Sequence, residues 1–196
     1  AKAPDGKVRA KVALFPGCVG SVLFQHVNRQ TIALYQLAGC DVHVPAAAGC
    51  CGAIHHHAGI VEDAKAMARR NVDAFLATED PDAFDYIVTN IAGCGAQLKD
   101  YAHLLRDDAT YADRARQFTA KVRDVSEVLA ELELPDAKRV DRTVTYHDAC
   151  HLAHGQKVTD PPRRLLSRVP GLKVVPLFDA DMCCGAAGTY NLAQPD

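Results

Sequence analysis

Cys18 is separated by 31 residues from the pair Cys50-Cys51, and Cys150 by 32 from the pair Cys183-Cys184. Both intervals end in Cys-Cys-Gly, and both pass through helix-like sequence, a glycine, a short apolar segment and a proline. The lead-ins correspond as well. VRAKVALFPGC (8–18) answers VDRTVTYHDAC (140–150), and GCDVHVP (39–45) answers GLKVVP (171–176). Agreement of Cys, Gly and Pro positions together marks a duplicated unit, so the chain must adopt a fold in which one module occurs twice.

The unit reads as α/β. KVALF (11–15) is a buried strand stopped by Pro16-Gly17. A helix follows, with Ser21 as its cap, Leu23, Val27, Thr31, Leu34 and Ala38 on one face, and Gly39 at its end. DVHVP (41–45) is a second strand. Val61, Ala64, Ala68, Val72 and Phe75 mark an amphipathic helix with Glu62 and Asp63 in its first turn. DYIVTN (85–90) is a third strand, and IAGCGAQL leads into a helix through about Leu105. Residues 108–134 read as helical in two pieces, Asp124 or Ser126 capping the second, and 134–142 as a linker. Strand (142–147), helical sequence around 151–169 broken at Pro161-Pro162, and strand (172–178) then recur. Strands alternating with helices imply parallel pairing. The expected fold is therefore α/β, with two duplicated modules over residues 1–134 and 135–196. Each is a small parallel sheet flanked by helices, with cysteines at the C-terminal ends of strands.

A hydrophobic fraction of 48% supports a sizeable core, and a net charge of −2 provides no basic field for nucleic acid. No apolar run reaches the roughly 18–20 residues of a membrane span, and the N-terminal sequence has no signal-peptide order. A reducing cytosol is the expected compartment, where eight cysteines read as ligands or redox groups rather than structural disulfides. Four of them, Cys18, Cys50, Cys51 and Cys94, follow three predicted strands, so a parallel sheet would bring them to one edge. Helix N-termini at that edge favour thiolate and sulfide, and the flanking glycines let backbone approach a bulky group. Zinc and an iron-sulfur cluster both suit four thiolates. The one-two-one distribution over separate loops favours the larger body over compact zinc pairs. Zinc in a structural or assembly domain without redox role stays open, as does thiol-disulfide chemistry at Cys50-Cys51 or Cys183-Cys184. Cys40 reads as a core residue.

Six of nine histidines lie beside these cysteines: His55, His56, His57, His147, His151 and His154. They are candidates to donate hydrogen bonds to cluster sulfurs, relay protons or ligate metal, the alternative being helix caps that face solvent. Asp148 reads as a helix cap, and Arg163-Arg164 as a solvated helix face or partner contact. Tyr190 in GTYN (188–191) is a candidate to line the second site or to join the core. No nucleotide-binding glycine fingerprint follows a strand, and no serine triad can be assembled.

FPGC, CCGAIHHHAG, NIAGCGAQLKDY, YHDACHLAHGQ, PPRRLL and CCGAAGTYNL together resemble the cysteine-rich CCG domain of the heterodisulfide reductases and their relatives. Those relatives include iron-sulfur subunits of glycolate, lactate and anaerobic glycerol-3-phosphate oxidising systems. The motifs are most similar to the glycolate oxidase iron-sulfur subunits. The resemblance implies cluster ligands at Cys18, Cys50, Cys51 and Cys94, and at Cys150, Cys183 and Cys184. It also implies electron transport from an FAD-containing glycolate oxidase subunit toward a quinone or other acceptor, with no catalysis by this chain alone. The implied location is the cytoplasm or, peripherally, the cytoplasmic face of the inner membrane. The related reductase pattern closes each module with C-x-x-C, whereas AGCGA supplies only Cys94. The expected cofactor is accordingly a four-thiolate 4Fe-4S cluster rather than a five-thiolate noncubane one. The chain resembles a fragment of a longer subunit, without the ferredoxin-like domain and the end of the second module.

Overall fold

The computed structural model describes residues 7–76, 83–183, 185 and 194. In chain order its elements begin with β1 (Lys11–Leu14), α1 (Cys18–Leu23), α2 (Gln25–Leu37), β2 (Asp41–His43), α3 (Ala53–His57), α4 (Val61–Phe75) and β3 (Tyr86–Thr89). They continue with α5 (Ala92–Lys99), α6 (Tyr101–Leu104), α7 (Ala112–Lys121), β4 (Val122–Asp124), α8 (Val125–Glu131) and β5 (Arg142–Val144). A π-helical turn (His151–Gly155), α9 (Asp160–Ser167) and β6 (Leu172–Val174) follow. The first four strands form one parallel sheet in the order β2-β1-β3-β4, and β5 pairs with β6 in a second parallel sheet. The pairing of Lys11 with Asp41 has its counterpart in that of Thr143 with Lys173, as duplication requires. Among the described residues no helix is long and apolar enough to cross a membrane.

The first sheet is covered on both faces, which is why its central strands read as continuous apolar runs. Successive side chains alternate between faces. Val12, Leu14 and Val88 meet Tyr35 and Ala38 at the end of α2, and Val128 and Leu129 of α8. Ala13, Phe15, Ile87 and Val122 meet Ala64, Ala68, Val72 and Phe75 of α4, with Leu98, Tyr101 and Phe118 beyond them. Phe75 touches Phe15 (6.0 Å between centroids) and lies edge-on to Phe118 (5.7 Å), which stacks on Tyr101 (5.4 Å). Each such fully buried ring contributes about 1.5–3 kcal/mol of transfer free energy.

Several expected details are corrected. The first helix is broken at Phe24 into α1 and α2, and Ser21 is no cap: its hydroxyl donates back to the Gly17 carbonyl. Thr31 and Ala38 of the expected face are buried, together with Asn28 and Tyr35, while Leu23 and Leu34 stand 68% and 44% exposed. Between the two helical pieces of 108–134 lies an unexpected strand, β4, entered directly from Lys121 with no turn residue to announce it. Asp124 does cap α8: it accepts from the Ser126 amide while the Glu127 carboxylate accepts from the Asp124 amide. The expected break in the helical sequence is present, between Gly155 and Asp160, and Pro161-Pro162 lie just past it in the first turn of α9, where amides need no intrahelical partner. Asp148 is an ion-pair partner rather than a cap, its two oxygens taking both Nη groups of Arg163 at 2.7 and 2.6 Å. Arg163 is thereby tied to Asp148 although its side chain stays 41% exposed, and Arg164 pairs with Asp160 on the solvated face. Cys40 is core, 1% exposed.

Candidate metal centre

In the order β2-β1-β3-β4 the chain leaves β1 toward one side and later returns to its other side. The crevice beyond the C-terminal ends of β1 and β3 is thus a topological switch point, where open α/β sheets place ligands. Cys18 opens α1 just after β1, Cys94 lies in the first turn of α5 after β3, and Cys50-Cys51 sit on the loop after β2. Their sulfurs meet in two pairs, Cys18 with Cys50 at 3.7 Å and Cys51 with Cys94 at 3.3 Å. The vicinal cysteines are divided between the pairs. Cys18 is exposed, Cys50 and Cys94 are half-buried, and Cys51 is 4% exposed.

The backbone around these thiols is held in place. Gly17 adopts φ 67°, ψ 151°, a conformation that side chains strongly disfavour. A Cβ there would strike the Ile91 side chain and stand 3.7 Å from the Cys94 sulfur. Asn71, fully buried on α4, accepts from the Gly49 amide (2.9 Å) and donates to the Cys50 carbonyl (2.8 Å) and the Tyr101 hydroxyl (2.9 Å). That hydroxyl donates to the Cys51 carbonyl at 2.9 Å. Asn71 and Tyr101 are supporting residues that motif reading missed. Their signal was polarity out of place: Asn71 falls on the face shared by Ala68, Val72 and Phe75.

Electrostatically three of the thiols are shifted in opposite directions. Cys51 is lowered to about 7, mainly because Cys94 donates a hydrogen bond to it. Burial pushes Cys50 up to about 11. Cys94 is driven up by its hydrogen bond to Cys51, by burial and by the charge of its neighbours. A soft cation would remove this mutual penalty by neutralising the thiolates, and four sulfur donors match such an ion or a cluster. Among the described residues, no three or more His, Cys, Asp or Glu side chains close on a point as they would around a single ion; the thiols meet two by two.

Cys150 lies 3.4 Å from Cys183, repeating the Cys18–Cys50 pair. Cys184 and residues 188–191, including Tyr190, lie outside the described residues. The π-helical turn after Cys150 rests on α5, the helix that carries Cys94: Gln156 donates to the Ala92 carbonyl at 3.0 Å, and its side chain fills the space left by Gly95. His57 and His151 stack across this junction, 5.8 Å apart and 10° from parallel. His56 bonds Gln97 at 3.1 Å, whereas His147 and His154 bond the carbonyls of Met182 and Asp181, holding the approach to Cys183. Among the described residues the buried Nδ1 of His55 has no hydrogen-bond partner. Five of the six imidazoles thus have partners that order the two cysteine loops and the seam between them.

The sequence is similar to those of several known proteins. It is 40% identical over 192 residues to the "Probable glycolate oxidase iron-sulfur subunit" of Bacillus subtilis, covering 96% of this chain and 42% of that protein. To the glycolate oxidase iron-sulfur subunit of Escherichia coli it is 35% identical, over 98% of this chain and 47% of that protein. To lactate utilization protein A of Geobacillus thermodenitrificans it is 34% identical, over 93% and 74%. The chain spans about half the length of the two glycolate oxidase subunits. The cysteine-rich domain family, CCG, matches residues 12–99 and 144–196, the two stretches that hold the paired thiols. With both repeats matched, this chain belongs to the CCG cysteine-rich domain family.

Proposed function

We propose that this chain is an iron-sulfur electron-transfer segment of a complex that oxidises a 2-hydroxy acid, with glycolate as the substrate class suggested by the relatives' names. Cys18, Cys50, Cys51 and Cys94 hold a 4Fe-4S cluster in the first module, residues 1–134. Cys150, Cys183 and Cys184 belong to the second, 135–196. The observation that carries this reading is the meeting of four thiols from three loops at the switch point, in pairs of 3.7 and 3.3 Å. Zinc, the alternative, would take the same four thiolates, and separations of 3.7 and 3.3 Å suit tetrahedral Zn–S bonds of about 2.3 Å as well, so metal analysis separates the two readings.

When bound, such a cluster supplies one-electron exchange. The protein's part is positional. Asn71 and Tyr101 hold the Cys50-Cys51 carbonyls, Gly17 leaves room beside Cys94, and the histidines order the surrounding loops. Electrons arrive from an FAD-containing subunit and leave toward a quinone or another acceptor. The expected setting is the cytoplasm or the cytoplasmic face of the inner membrane.

Anaerobically purified protein should contain iron and acid-labile sulfide in equal amounts and absorb visible light. Cys51→Ser should lose the iron, and Cys40→Ala, whose thiol is buried apart from the site, should keep it. Stoichiometric zinc with neither iron nor sulfide would sink the proposal.

A further inference from the structure

The arrangement of the sulfurs defines more than a ligand set. Cys50 and Cys51 are neighbours in sequence, yet each faces a different distant partner: Cys50 faces Cys18 at 3.7 Å, and Cys51 faces Cys94 at 3.3 Å. The repeat makes the first of these contacts again, Cys150 to Cys183 at 3.4 Å. A disulfide requires sulfurs about 2.0 Å apart with a dihedral near 90°. To close, the sulfurs of each pair must approach by about 1.3–1.7 Å. A Cys50–Cys51 bond would instead close a ring through one planar peptide unit and strain it. The closest sulfur contacts thus already favour two pairs, Cys18 with Cys50 and Cys51 with Cys94, before any oxidant arrives.

We propose that the metal-free first module is a specific two-disulfide site, in which a peroxide converts the four thiols to Cys18–Cys50 and Cys51–Cys94 bonds. The inference rests on the convergence of the thiols and not on which metal or cluster they hold. In each pair one thiolate attacks the peroxide, forming a sulfenic acid and releasing hydroxide, which takes up a proton. The partner sulfur then attacks the sulfenic sulfur, forming the S–S bond and expelling water. Each pair loses two protons and two electrons, and hydrogen peroxide becomes two molecules of water. Because a partner stands beside every thiol, sulfenic acid is captured before a second peroxide carries it to the irreversible sulfinic state. A thiol reductant restores all four ligands. The empty site is thereby kept in a form that can be loaded again.

Cys40 reports on the fold during the test, since its thiol is 1% exposed and stands in a separate core cluster. Metal-free protein is treated with hydrogen peroxide and alkylated before and after denaturation. It is then digested without reduction and mapped by tandem mass spectrometry. The expected result is full loss of free thiol at Cys18, Cys50, Cys51 and Cys94, with Cys40 alkylated only after denaturation and all four thiols recovered in dithiothreitol. Cys50 and Cys51 share one tryptic peptide, so Cys50→Ser separates the two bonds. It should release the Cys18 peptide and retain the Cys94 peptide. A Cys50–Cys51 or Cys18–Cys94 bond overturns the proposal, as does relinking of Cys18 to Cys51 in the variant. Accumulation of sulfinic acid at these positions in the wild-type protein, or scrambled bonds with Cys40 already alkylated, overturns it too.

Discussion

Removing the Tyr101 hydroxyl should loosen the Cys50-Cys51 loop from behind, without touching a thiol. The residue is fully buried, and its ring stacks on Phe118 at 5.4 Å, so Tyr101→Phe preserves the apolar contact. What it strands is the Cys51 carbonyl and one N–H of Asn71, each bonded to the hydroxyl at 2.9 Å. A buried polar group left without a partner costs about 1–3 kcal/mol, so two of them should destabilise the fold by about 2–6 kcal/mol. Asn71→Ala removes three bonds, to the Gly49 amide, the Cys50 carbonyl and Tyr101. Its expected cost is about 3–5 kcal/mol. Because the two variants share one bond, the double variant should fall short of the sum by about 1–2 kcal/mol. Urea unfolding of all four proteins in one metal state measures this, with unchanged slope as the check that the denatured state is comparable. A cost below about 0.5 kcal/mol for Tyr101→Phe, or strict additivity, would refute the claim that this buried bond positions the cysteine loop.

Two further outcomes follow from the same geometry. Arg163 holds the Asp148 carboxyl below its ordinary value, so the folded state binds fewer protons than the unfolded one just below that value. The pair's contribution is therefore complete above about pH 4 and is lost as pH falls through the folded pKa; Asp148→Asn should flatten the acid limb of a stability-against-pH curve, and an unchanged limb would contradict the pairing. Gly17→Ala should cost about 1–3 kcal/mol for its backbone conformation alone. It should also lower the iron content of protein purified anaerobically, since the new methyl meets Ile91 beside Cys94.

Much of the site was legible before folding, because the information lay in spacing. Cysteines placed after three strands must share an edge once those strands pair in parallel, and the repeat identified the module without reference to any contact. Less legible was anything that depended on helix phase or on a long-range partner. Thr31 and Ala38 of the apolar stripe are buried as spacing suggests, but the buried face of α2 is centred on Asn28, Thr31 and Tyr35, which leaves Leu34 outside it. β4 was hidden because three residues between two helices carry too little pattern to separate strand from helix. Only its pairing of Ile87 with Val122 makes it a strand. Asp148 read locally as a cap because a carboxylate before a helix usually is one. Its partner lies within α9, out of reach of local reasoning.

By itself the sequence determined the α/β class, the duplication and the set of cysteines, because these follow from periodicity, chain order and residue type. The tertiary structure alone decided which thiol faces which. Cys50 and Cys51 are equivalent as letters, and no spacing rule distinguishes them. Folding sends one sulfur toward the end of β1 and the other toward the helix after β3, since Asn71 and Tyr101 hold the loop carbonyls in one orientation. That choice rests on buried hydrogen bonds between residues far apart in the chain, which exist only once the core has closed around them.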